Sequence, residues 1–168
     1  MKLTSSSGKG NFALVKEGQE IFELKYTNWF ASKARAEWAK ESIEIRPQNV
    51  WCSKFDIFKN DLDQGDIIFN WKGNIIIRLM QEEGVEKSYL LKAKGFWNQS
   101  FELTDEADNV MLLLAPSMNW KKLNYNYDVQ QISEEYEEQH IHELLIYCGF
   151  GANLYMTMMA TGVAGAVS

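Results

Sequence analysis

From Leu144 to Val167 the chain carries no charged residue. A helix of about 20 apolar residues is enough to cross a bilayer. Such a run therefore has two destinations: it lies in lipid, or it lies inside protein that surrounds it on every side. Three details favour protein. Gly149, Gly151, Asn153, Thr157, Thr161, Gly162 and Gly165 dilute its hydrophobicity and lower its helix propensity. The preceding flank is acidic (Glu134, Glu135, Glu137, Glu138, Glu143), whereas a cytoplasmic flank is normally basic. Only Ser168 follows Val167, so no polar group anchors a far side. The small-residue pairs Thr161/Gly165 and Gly162/Ala166 would suit helix pairing in lipid, but arise readily in so small-residue-rich a segment. Inside protein, the glycines and alanines admit neighbouring strands closely, and Met156, Met158 and Met159 fill irregular gaps.

What precedes the run has a period of two. In EIFELKY, Phe22, Leu24 and Tyr26 share one face while Glu23 and Lys25 take the other. In FASKARAEW, Phe30, Ala34, Ala36 and Trp38 alternate with Lys33, Arg35 and Glu37, although Phe30, Ala34 and Trp38 also stand at helical spacing. Gly73-Asn74 separates two β-rich halves of DIIFNWKGNIIIRLM and reads as a hairpin turn, because both residues tolerate positive φ. Eight or more short strands joined by tight turns predict a closed sheet or a sandwich. After Val129 the period changes: Ser133 is a candidate helix cap, followed by Glu134 and Glu135 at the positive end of the dipole and an apolar face at Ile141, Leu144, Leu145 and Cys148.

Residues 1–11 are rich in serine, glycine and lysine and read as a flexible lead-in; 12–168 read as one domain, with its apolar helical segment starting near 133. A net charge of -6 argues against a nucleic-acid binder. Two cysteines nearly a hundred positions apart, Cys52 and Cys148, do not make a disulfide framework. The N-terminus has no apolar stretch typical of a signal peptide, so the expected location is the cytoplasm, or a membrane anchored through 144–167 if the run lies in lipid.

Chemistry is not apparent. His140 and His142 are two apart and would point to different sides of a helix; Glu138 and His142 share a face but lack a third ligand, so no metal site is expected. Asp61-Leu-Asp63-Gln-Gly-Asp66 resembles a calcium loop only in composition and reads as a solvated turn. Ser5, Ser6 and Ser7 lack a base, Gly8-Lys9-Gly10 is too short for a P-loop, and Gly149-Phe-Gly151 lacks the third glycine of a dinucleotide fingerprint. No catalytic residue and no cofactor are assigned. Lys92 and Lys94 lie two apart on a strand and so share a face; they are the candidate site for an anion or lipid headgroup, joined by Lys72, Lys87, Lys121 and Lys122 if these converge there. Trp71, Trp97 and Trp120 sit beside turns and read as core plugs at the barrel ends.

Strands followed by one wholly apolar C-terminal helix resemble the tubby C-terminal-like group, which includes the LURP-one-related and phospholipid-scramblase-like families. The similarity covers about residues 20–160 and is strongest over Tyr26–Trp38 and over YLLKAKGFWNQSFELTDEADNVMLLL. It implies a barrel of roughly twelve strands around a central helix, and usually a non-enzymatic role. Tubby proteins bind phosphoinositide headgroups through surface lysines and arginines. The scramblase-like cysteine cluster and calcium loop are missing from this sequence. The expectation is a mainly β, antiparallel closed barrel around a buried, apolar C-terminal helix. Its expected role is non-enzymatic binding of an anionic lipid or a protein partner. The alternatives are a tail-anchored protein with a cytoplasmic β domain, and an enzyme using a cleft at the barrel mouth.

Overall fold

A strand with one apolar face must bury that face, and here the strands do so by closing on themselves. The computed structural model describes residues 1–28, 32–48, 53–70, 73–81, 84–95 and 99–160. Among these residues the strands are β1 (Lys2–Ser5), β2 (Phe12–Lys16), β3 (Gln19–Asn28), β4 (Lys33–Trp38), β5 (Glu41–Pro47), β6 (Lys54–Lys59), β7 (Leu62–Phe69), β8 (Asn74–Met80), β9 (Glu86–Lys94), β10 (Ser100–Thr104), β11 (Val110–Asn119) and β12 (Asn124–Gln131). Each is antiparallel to its sequence neighbours, and β1 pairs with β12, so the barrel has no open edge. Alternate residues such as Leu24, Ile43, Ile45, Ile57, Ile75, Ile77 and Leu91 point inward and are fully shielded.

An eight-stranded barrel fills its interior with its own side chains, but twelve strands enclose a wider lumen. The helix α1 (Glu138–Ala160) occupies it. Every residue from Leu144 to Asn153 is buried, all the way round the helix. Contacts reach opposite walls. A Cβ added to Gly149 would lie 2.4 Å from the Phe12 ring of β2, whereas one on Gly151 would lie 3.2 Å from Ile75 of β8. Phe150 stands between Tyr26, stacked at 5.8 Å, and Phe55, edge-on at 5.0 Å. Asn153, the one polar side chain in the buried stretch, accepts a hydrogen bond from the Tyr127 hydroxyl at 3.0 Å and donates to the Gly10 carbonyl at 3.0 Å. This half of the charge-free run is thus matched to the barrel atom by atom. Among the described residues no helix is long and apolar enough to cross a membrane; positions 161–167 of the run lie outside them.

Three expectations change. Within the supposed flexible lead-in 1–11, residues Lys2–Ser5 form β1, paired on both sides and closing the barrel. Its inward residues are only Leu3 and Ser5, too short an alternation to stand out in sequence. The helix begins at Glu138 rather than near 133. Ser133 caps a turn instead, its Oγ accepting from the Glu135 amide at 3.3 Å, because residues 132–137 must carry the chain from the wall at β12 to the barrel axis. The helical alternative for Ala34–Trp38 gives way to a strand, with Ala34 and Ala36 facing inward. Phe30 and Cys52 lie outside the described residues.

On the outer wall Glu44 accepts from the Arg46 guanidinium at 2.8 Å and lies 2.6 Å from the Lys33 ammonium. The Arg46 hydrogen bond, followed by Lys33, holds its carboxyl at about 2 despite partial desolvation. A carboxyl depressed in the folded state adds stability above its unfolded pKa and loses it as pH falls through the folded value. Urea midpoints are therefore expected to be flat above pH 5 and to fall between about 4.5 and 2. Glu44→Gln should lose part of that acid-side slope, and an unchanged slope would remove Glu44 from the account.

Candidate functional site

An up-and-down barrel sorts its connections into two sets, one at each mouth. The helix enters at one mouth and leaves at the other. The connections at the entry mouth (17–18, 39–40, 60–61, 81–85, 105–109 and 132–137) contain, among the described residues, Glu17, Asp61, Asp105, Glu106, Asp108, Glu134, Glu135 and Glu137, against the single cation Lys40. Those at the exit mouth (6–11, 29–32, 48–53, 70–73, 95–99 and 120–123) contain, among the described residues, Lys9, Lys121 and Lys122 and no carboxylate. A chain of net charge -6 thus presents one strongly acidic end and one basic end.

The cations nearest the exit mouth fall into two kinds. Those on strand ends are paired with carboxylates lower on the wall: Lys33 and Arg46 with Glu44, Lys54 with Asp66 at 3.2 Å, and Lys94 with Glu102 at 3.5 Å. Lys9, Lys121 and Lys122 have no ion pair among the described residues. They are also neighbours. Because β1 pairs with β12, connection 6–11 lies beside connection 120–123, and a Cβ on Gly8 would lie 3.0 Å from the Lys122 carbonyl oxygen. The Asn124 side chain donates to the Ser7 carbonyl at 3.4 Å, bridging the two.

Both connections are held by local hydrogen bonds. The Lys122 amide donates to the Asn119 carbonyl at 3.1 Å, which closes the turn and presents Trp120, Lys121, Lys122 and Leu123. In the other, the Ser6 amide donates to the Asn11 carbonyl at 2.9 Å, and Gly10 takes a φ of 95° that favours glycine. Asn153 ties that loop to the helix. Between the two connections and the emerging helix lies a groove of about 460 Å³, with Lys9 at its edge and Met118, Leu123, Leu154 and Met156 along it. Trp120 and Leu123 are 77% and 73% exposed. Trp120 is therefore not the core plug expected of it: its turn carries it clear of the wall. Trp71 and Trp97 lie outside the described residues.

The sequence candidates are scattered. Lys92 and Lys94 do share the outer face of β9, but Lys92 lies 3.1 Å from Asp108 and Lys94 is paired with Glu102. Lys87 is the second residue of β9, at the entry mouth, away from Lys121 and Lys122, and Lys72 lies outside the described residues. Lys9 was hidden in the supposed lead-in.

A larger cavity, about 790 Å³, opens at the entry mouth between Lys59, Gln64, Met80, Lys87, His140 and Glu143. Its chemistry is internally balanced. Lys59 is answered by Glu143 at 3.0 Å and Glu41 at 3.3 Å. His140 shares a hydrogen bond with the Tyr89 hydroxyl at 2.9 Å, and desolvation lowers its pKa. His142 Nε2 sits 3.3 Å from Glu138 without hydrogen-bond geometry, and burial lowers its pKa too. No cluster of three or more potential metal ligands occurs among the described residues. Burial pushes the Cys148 thiol up, which disfavours a reactive thiolate. Asp61 lies in the β6–β7 turn, Asp63 accepts from the Gly65 amide at 3.0 Å, and Asp66 pairs with Arg78 and Lys54, so the acidic stretch is spent on structure. No family model, curated protein or solved structure matches the chain.

Proposed function

We propose that this barrel is a non-enzymatic domain that binds an anionic lipid headgroup at the mouth where its helix leaves, through Lys9, Lys121 and Lys122. One observation carries the reading: among the described residues the exit-mouth connections hold Lys9, Lys121 and Lys122 and no carboxylate, and these three lysines gather in one sector without ion pairs to other described residues. A cation already answered by a carboxylate must break that contact to take a ligand; an unanswered one need not. The apolar groove beside them would accept the glycerol backbone and the upper part of an acyl chain. We propose further that the chain belongs to the tubby C-terminal-like group, whose members bind anionic headgroups. We place the protein in the cytoplasm, where the facing leaflet is anionic.

The test is flotation of the full-length chain with vesicles of phosphatidylcholine alone or with added phosphatidylserine or phosphoinositide. Binding is expected only to the anionic vesicles and should weaken with salt. Each lysine near such a surface contributes about 1 kcal/mol, so Lys9→Ala/Lys121→Ala/Lys122→Ala should lower the partition coefficient on the order of 100-fold. Lys92→Ala/Lys94→Ala should change it little. Equal binding to neutral vesicles, or an unaffected triple variant, would refute the site; a loss confined to the Lys92/Lys94 variant would move it to the outer face of β9.

A further inference from the structure

We infer that the exit mouth docks end-on into the interfacial layer of an anionic phospholipid bilayer, with Trp120 and Leu123 seated among the headgroups and Lys9, Lys121 and Lys122 on the phosphates. The inference rests on the headgroup reading and specifies how the surface is met. Trp120 and Leu123 are the two most exposed large apolar side chains among the described residues, and they flank Lys121 and Lys122 in a single turn. Met118 and Met159 extend the exposed apolar surface at the same mouth. Cations beside exposed tryptophan and leucine are the composition that partitions into the membrane interface, where an indole lies at headgroup level with its N–H still hydrated.

Charge selects the occupant. A second copy meeting this mouth face to face would bring like charges together and be repelled. An anionic bilayer is complementary to this end and repels the acidic entry mouth, so the same polarity orients the barrel as well as attracting it.

The full-length chain is mixed with phosphatidylcholine–phosphatidylserine vesicles whose acyl chains are either unmodified or brominated near the glycerol. The expected result is lysine-dependent flotation together with quenching of tryptophan emission by the brominated lipid. Trp120→Ala/Leu123→Ala should lower partition about tenfold with its thermal melt unchanged, since both side chains are exposed. Flotation without quenching, with the double variant binding like wild type, overturns end-on insertion and leaves the headgroup reading standing. No flotation on anionic vesicles overturns both. Should the double variant fail to fold, quenching of the wild-type chain still decides.

Discussion

Removal of residues 144–168 is expected to abolish the barrel, leaving no cooperative thermal transition and no near-ultraviolet circular dichroism. The deletion takes away Leu144, Leu145, Ile146, Tyr147 and Phe150, all fully buried and all in the same core cluster as the inward residues of the wall. Truncating one buried leucine to alanine costs about 2–5 kcal/mol, part of it for the cavity left behind. A typical domain has only about 5–15 kcal/mol in total. Losing five such side chains and their backbone exceeds that range, and a twelve-stranded wall cannot collapse onto itself without changing its strand tilt and register. The same experiment separates the two destinations of the charge-free run. A membrane anchor could be cut off without harm to a separate β domain, so a truncated chain that still melts cooperatively would show the barrel to be self-sufficient and the helix dispensable.

Much of this was legible because the governing rule is local. Period two at Phe22/Leu24 and at Ile75/Ile77 specifies which face goes inward, and Gly73, with φ of 78°, occupies the hairpin turn expected of it. The apolar run was readable as a core element because glycines, Asn153 and the acidic flank all disfavour lipid. What escaped was non-local. β1 has two inward residues and becomes a strand only because β12 and β2 offer it partners on both sides. Ala34 and Trp38 satisfied both periods, and the pairing of β4 with β3 and β5 decided for the strand. The charge separation between the mouths follows from residue identities alone, but it emerges only when connections are numbered and every second one is taken together. Missing β1 drops connection 6–11, and Lys9 with it, from the basic set. Lys92 and Lys94 shared a face as expected; their neutralisation by Asp108, in the connection after β10, and by Glu102, on β10, depended on neighbours that spacing within β9 could not supply.

Gly65→Ala should be among the most damaging single substitutions in the wall, lowering stability by about 4 kcal/mol. Two independent costs meet there. The backbone has a φ of 137°, a region L side chains rarely adopt, with a penalty of roughly 1–3 kcal/mol. The added methyl would also lie 1.9 Å from the Arg78 carbonyl oxygen and 3.1 Å from the Leu79 Cα. Those are backbone atoms of β8, held by the ladder that pairs Gly65 with Leu79 and Asp66 with Arg78. A rotamer change cannot relieve the overlap, so β8 must move outward at a further cost of about 1–3 kcal/mol. The displacement would strain the 2.7 Å bond from Arg78 Nε to Asp66 on the outer wall. At about 2–4 °C per kcal/mol for a chain of this size, the melting temperature should fall by roughly 10 °C. Gly18 isolates the first cost: its φ is 81°, yet nothing lies within 4 Å of the position a Cβ would take. Gly18→Ala should therefore cost only about 1 kcal/mol. If the two variants melt together, the close approach of β7 to β8 is not what requires glycine at position 65.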